Sequence, residues 1–215
     1  MPLTYSLFAP ETVCLRDKRL PALFKKTKMG INLVIYFSLL FFLSELILKI
    51  KKRSGKNETK VKNDKKSLIF FWVAIPLSLT VGFFTADYHQ WTAFNDAVAI
   101  LGIGIFFLGI ILRWISIVQL DKGFTVDVAI TKNHNLKTDG MYRHVRHPSY
   151  LGLFLICFGL SVSMNSLLSM AVISVSILAA LIYRIKVEET TLIEEFGDTY
   201  TDYMKKTSRL IPGLY

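Results

Sequence analysis

The sequence predicts an all-α integral membrane protein of about five transmembrane helices, ending in a helical hairpin. Three observations lead there. First, 52% of the 215 residues are hydrophobic and the mean hydropathy is +0.42, too apolar for a soluble domain of this size. Second, the apolar residues fall into five runs, at 31–50, 68–86, 94–119, 148–164 and 166–183. Third, the basic residues that give the net charge of +10 cluster beside those runs. Clusters so placed report topology and contact with anionic lipid rather than nucleic-acid binding.

A helix needs about 20 mostly apolar residues to cross the hydrocarbon layer. The first three runs meet that length. The last two are shorter, lie close together around Asn165, and predict a tight hairpin. The connection "KIKKRSGKNETKVKNDKK" carries nine Lys or Arg against two acids and is expected in the cytoplasm. "DYHQWT" carries no Lys or Arg and is expected outside. Alternation then places 121–147 and the tail from Arg184 inside, and both are rich in basic residues. The sequon at Asn57 would be idle on that side.

Three regions follow: a basic leader at 1–30, three spans at 31–119 with the basic loop 51–67, and a region of loop, helical hairpin and C-terminal tail at 120–215. The leader is at odds with alternation, which puts it outside although residues 1–28 hold six basic side chains. An interfacial segment, or a natural start at Met29, would each resolve this. It lacks the long apolar core of a signal peptide. Glu45 and Arg113 stand inside apolar runs. They are functional candidates for that reason, or chains that reach water from the cytoplasmic ends of their spans. The glycines of "LGIGIFFLG" match helix packing rather than a dinucleotide loop, because no strand precedes them.

Polar chemistry concentrates in "HNLKTDGMYRHVRHPSYLG" (134–152) and "YRIKVEETTLIEEFGDTY" (183–200). A hairpin joins the two, so Arg184, Glu188 and Glu189 are expected beside His147 and Tyr150. Pro148 suits a first helical turn. Arg184 and Glu188, four apart, share a helix face and could form a simple surface pair worth a few tenths of a kcal/mol. His144 and His147 lie three apart, but Pro148 interrupts helical spacing and no metal-binding motif appears, so no metal is expected.

"RHPSYLG", followed after a hydrophobic hairpin by "EE" and by "FGDTYTDYMKKTSRLIPGLY", resembles the isoprenylcysteine carboxyl methyltransferase family and the related phospholipid methyltransferases. The resemblance covers roughly 124–215 and makes 120–215 the catalytic region. It implies a membrane enzyme that uses S-adenosylmethionine in a cytoplasmic pocket built by the last helices and the tail. Carried over by position, it implies cofactor contacts at His134, Asn135, Leu136, Lys137, Tyr142, His147, Pro148, Ser149, Tyr150 and Glu188. Arg184 matches the arginine that faces the substrate, and Glu189 is the candidate base should the acceptor be an amine. Met141 departs from the proline of many members, and Lys137 from a usually apolar residue. The implied partners are a lipophilic or prenylated substrate and membrane lipid, not nucleic acid. NADPH-dependent sterol reductases share an "RHP-x-Y-x-G" element, but not the paired glutamates. A scaffold without chemistry would leave the cost of burying this polar cluster unexplained.

Overall fold

The computed structural model describes residues 32, 35–48, 50, 59–60, 64–89, 96–120, 129–130 and 136–213. The leader 1–30 lies outside them. Among the described residues, helices follow the apolar runs, α1 (Ile35–Leu48), α2 (Asp64–His89), α3 (Asp96–Leu120), α4 (Pro148–Ser163) and α5 (Leu167–Phe196), and a short polar helix comes after them, α6 (Asp198–Lys206). By length and composition, three described helices can cross a membrane: Ser67–Ala86 within α2, Ala97–Leu120 within α3, and α5. α1 and α4 are shorter apolar helices. Outward side chains such as Phe70, Leu77, Phe84, Leu101, Leu108 and Val118 are exposed, as lipid-facing residues are. The chain is an integral membrane protein.

α5 differs from its apolar run. The run ends at 183, but the helix continues to Phe196. Apolarity marks where a helix leaves hydrocarbon, not where it stops. Lys186, Glu188, Glu189, Glu194 and Glu195, polar residues of high helix propensity, help carry it on until Gly197, whose φ of 53° ends it. The hairpin turn works similarly. Asn165 takes a left-handed φ of 57°, and the Ser166 side chain accepts from Ser169 N–H at 3.4 Å, capping α5.

α3 and α4 pack through glycine. A Cβ on Gly109 would lie 2.6 Å from Ile156 N, and one on Gly102 2.6 Å from Ser163 N. Gly152 and Gly159 of α4 press equally closely on Arg113 and Phe106. The packing role expected for "LGIGIFFLG" thus falls to Gly102 and Gly109, whereas Gly104 has open space beside it. α2 meets α5 at Gly82, whose carbonyl accepts from Ser169 Oγ at 2.7 Å. Phe106, Leu153, Ile156, Ile173, Ile177 and Leu181 fill the core between them.

Two short strands, β1 (Thr59–Lys60) and β2 (Ala129–Ile130), pair antiparallel. The loop after α1 and the loop after α3 therefore meet on one side of the bundle. α4 begins on that side and α5 ends there, so the polar segments are gathered at one end.

Candidate functional site

The site forms where the start of α4, the late turns of α5 and the tail converge. Pro148 opens α4 at its first turn, as its spacing predicts. Before it, a 3-10 turn (Gly140–Arg143) is pinned to the end of α3. Gln119 Oε1 accepts from Met141 N–H at 3.0 Å and crowds Gly140, where φ is +59°. The Tyr142 hydroxyl donates to Ser116 O at 3.2 Å, and the Tyr203 hydroxyl donates to Tyr142 O at 2.5 Å. Tyr142 is buried, and burial raises its phenol above the ordinary range. Its hydroxyl is thus engaged by α3, its carbonyl by Tyr203 and its N–H by Asp139 O.

The hairpin does bring its two ends together. The Tyr150 hydroxyl donates to Glu188 Oε2 at 2.6 Å. Arg184 Nε donates to the same hydroxyl at 3.3 Å, and Arg184 Nη1 donates to Ser67 Oγ at 2.6 Å. A line of hydrogen bonds thus runs from α2 through Arg184 and Tyr150 to Glu188. The expected Arg184–Glu188 relation is a linkage through Tyr150, held in a buried setting rather than on an open surface. Arg184 is 2% exposed. The His147 ring stacks on Tyr150, with centroids 5.6 Å apart and planes 18° apart.

Glu189 faces elsewhere. Its Oε1 lies 2.9 Å from Arg146 Nε, and its Oε2 accepts from Arg209 Nε at 2.8 Å. Arg146 Nη1 also donates to Met204 O at 3.1 Å, to Thr207 Oγ1 at 3.2 Å, and to Thr207 O. Backbone bonds reinforce the contact: Arg146 N–H to Ser208 O at 2.8 Å, His147 N–H to Arg209 O at 3.0 Å, and Ser208 N–H to His144 O at 3.2 Å. Glu189 thus ties α5 to both the turn before α4 and the tail. Both carboxylate oxygens of this residue, the candidate base for an amine acceptor, are thus paired with arginines.

Two buried polar atoms in this region lack a hydrogen-bond partner: His147 Nε2 and the Tyr200 hydroxyl. His147 Nε2 lies 3.4 Å from Glu189 Oε1, near enough to pair by charge when the ring is protonated. Tyr200 is 1% exposed, and burial, with the carboxylates of Glu189 and Glu188 nearby, raises its phenol. Buried polar groups without a protein partner are uncommon, and these two atoms can hydrogen-bond a ligand.

Of the remaining expected residues, Pro148 and Ser149 are buried beside His147, and Leu136 and Lys137 are half-buried at the loop entrance. Lys137 Nζ lies 2.9 Å from Asp139 Oδ1, and that pairing lowers the Asp139 carboxyl below its ordinary value. His134 and Asn135 lie outside the described residues. Sequence reasoning missed Arg146, Arg209, Ser67 and Tyr200. Arg146 had a signal, since it opens the RHP triplet. Ser67 had none, because its partner lies 117 positions away.

Residues 101–194 match the model of the isoprenylcysteine carboxyl methyltransferase family. A protein-S-isoprenylcysteine O-methyltransferase of Schizosaccharomyces pombe is 38% identical over 112 residues, covering 51% of this chain and 48% of that protein. Protein-S-isoprenylcysteine O-methyltransferase A of Arabidopsis thaliana is 29% identical over 187 residues, covering 81% of this chain and 89% of that protein. The alignment thus spans about half the length of the fission-yeast relative. A solved structure of a eukaryotic intramembrane Ras methyltransferase, an isoprenylcysteine carboxyl methyltransferase, superposes with a TM-score of 0.57 at 25% identity. That match covers 67% of this chain and 52% of the other. The matched residues take in the RHP turn, most of both hairpin helices, Arg184 and the paired glutamates, and it is over this region that the chain is similar to the isoprenylcysteine carboxyl methyltransferases.

Proposed function

We propose that the protein is a membrane methyltransferase that uses S-adenosylmethionine to methylate the carboxylate of a prenylcysteine-like acceptor, at a site facing the cytoplasm. The observation that carries this reading is the line Arg184–Tyr150–Glu188 beside the orphaned His147 Nε2 and Tyr200 hydroxyl. The family-model match over 101–194 and the relatives named above support the choice of reaction. The basic loop that β1 and β2 tie to the side of the site supports the cytoplasmic orientation.

The donor set fits the cofactor. S-adenosylmethionine, when bound, supplies a methyl group activated by a sulfonium cation. Glu188 offers a carboxylate for the ammonium or the ribose hydroxyls. His147 Nε2, at the positive end of α4, offers a partner for the carboxylate. The Tyr150 face suits a cation. The Tyr200 hydroxyl is a further donor to the same ligand. Leu136 and Lys137, both half-buried, are placed to line the entrance.

A carboxylate acceptor is already an anion at neutral pH, so the chain needs no general base. This agrees with a Glu189 committed to Arg146 and Arg209. Arg184 is held on two sides, by Tyr150 and Ser67, and presents a fixed cation to the acceptor. Its orientation, with exclusion of water, is the main catalytic contribution of the protein. Approximation of this kind is worth about 7–11 kcal/mol in favourable cases. A polar reactant from the cytoplasm and a lipid from the bilayer meet where helices end, which accounts for the placement of the site.

The test is methyl transfer in lipid from methyl-labelled S-adenosylmethionine, offering a farnesylated cysteine analogue and phosphatidylethanolamine together. Base-labile label on the cysteine analogue, abolished in Glu188→Gln, is the expected result. Label in the phospholipid alone would replace the acceptor. Label in neither would overturn the reading.

A further inference from the structure

Outside the cluster above, α1 and α3 each bury a charge in the bundle. Glu45 and Arg113 are each 6% exposed. Both were candidates to reach water; instead they pair. Arg113 Nε donates to Glu45 Oε1 at 2.5 Å and Nη2 donates to Oε2 at 2.7 Å, a two-pronged contact. The remaining terminal nitrogen, Nη1, donates to the backbone carbonyl of Ser149 at 3.0 Å. Ser149 sits in the first turn of α4, between His147 and Tyr150. The same turn is gripped from the side, because a Cβ on Gly152 would lie 2.7 Å from Arg113 N.

We propose that the Glu45–Arg113 pair is a positioning device for the first turn of α4, and thereby sets the affinity of the site for S-adenosylmethionine. This rests on the cofactor reading above. A buried ion pair is a poor way to hold two helices together, since apolar residues of the same volume do so as well or better. A planar cation with five donors can do what apolar packing cannot: take its orientation from one helix and donate to the backbone of another. Glu45 fixes the guanidinium plane, and the plane fixes Ser149 O. Neither residue touches the reactants. The effect passes through His147 and Tyr150, which share that turn.

The full chain in lipid nanodiscs provides the test, with Arg113→Lys, Glu45→Asp and the exchanged pair Glu45→Arg/Arg113→Glu. Lysine keeps the charge but cannot serve both partners. Arg113→Lys is expected to speed amide exchange at 149–153 by about tenfold or more, with 169–177 unchanged. Calorimetric affinity for S-adenosylmethionine should fall by about tenfold or more. If Arg113→Lys does not fold, Glu45→Asp, which keeps the charge on a shorter stem, carries the same expectations. The exchanged pair restores the ion pair but removes the donor to Ser149, so it should recover the thermal midpoint of Arg113→Lys and not the affinity. Unchanged exchange at 149–153, loss spread evenly over the bundle, or recovery of both properties in the exchanged pair would overturn the proposal. If the wild-type chain binds no S-adenosylmethionine, the cofactor reading fails, and the exchange measurement alone decides the positioning of α4.

Discussion

Arg146 and Glu189 face each other at 2.9 Å, with side chains 7% and 4% exposed, 43 positions apart in the chain. One precedes α4 and the other lies in the late turns of α5, so their contact closes the site at its base. Arg209 adds the tail to the same carboxylate. Removing Glu189 leaves Arg146 buried with only carbonyl and hydroxyl acceptors. Glu189→Gln is therefore expected to destabilise the protein by about 3–5 kcal/mol, measured by denaturant unfolding in detergent. A loss below about 1 kcal/mol, the range of surface pairs, would show that this contact is solvated in practice.

The glycines of α3 predict opposite outcomes for the same substitution. Gly109→Ala drives a methyl into Ile156 N and Gly152 O at 2.6 and 2.7 Å and should cost about 1–3 kcal/mol. Gly104→Ala meets nothing within 4 Å and should be neutral, or stabilising by up to about 1 kcal/mol through helix propensity. Thermal melts of the two variants side by side decide this. Equal midpoints would contradict the close approach of α3 and α4.

Truncation after Lys206 removes the Ser208 and Arg209 carbonyls that receive Arg146 and His147 N–H, together with the Arg209 side chain. The five long helices do not depend on those residues, so helical circular dichroism should be nearly unchanged. Cofactor binding should be lost. A truncated chain that binds as well as the whole would remove the tail from the site.

Burial pushes the Tyr203 phenol up to about 12 from an ordinary value of 10.0, against the opposing pull of Arg146. The unfolded chain therefore releases this proton first. The associated stability is complete below pH about 10 and is lost as pH rises from about 10 to 12. Tyr142 and Tyr200 shift in the same direction. Alkaline unfolding followed by phenolate absorbance should show a cooperative step in that window. In Tyr203→Phe the step should be shallower, and the lost bond to Tyr142 O should lower neutral stability by about 1 kcal/mol.

Much of this was legible in the sequence because its signals are local. Apolar runs located the helices, Pro148 located the start of α4, and the hairpin between Tyr150 and Glu188 followed from two spans joined at Asn165. What stayed hidden depends on partners far apart in the chain. Nothing near Glu45 announces Arg113, 68 positions on, and a lone charge in an apolar run reads equally as a chain that reaches water. Nothing in the paired glutamates distinguishes the one facing Tyr150 from the one facing Arg146. Adjacent residues on a helix point about 100° apart, and only the neighbours decide what each direction means. The extension of α5 to Phe196 escaped hydropathy because its last turns are polar.

Calorimetric titration of S-adenosylmethionine into the full chain in lipid, with Glu188→Gln and Tyr200→Phe alongside, tests the central claim most directly. Saturable binding by the wild type is expected, about tenfold or more weaker in Glu188→Gln and measurably weaker in Tyr200→Phe, as expected for lost hydrogen bonds to a charged ligand. No binding, or binding that both variants leave unchanged, would contradict a cofactor site at the meeting of α4, α5 and the tail.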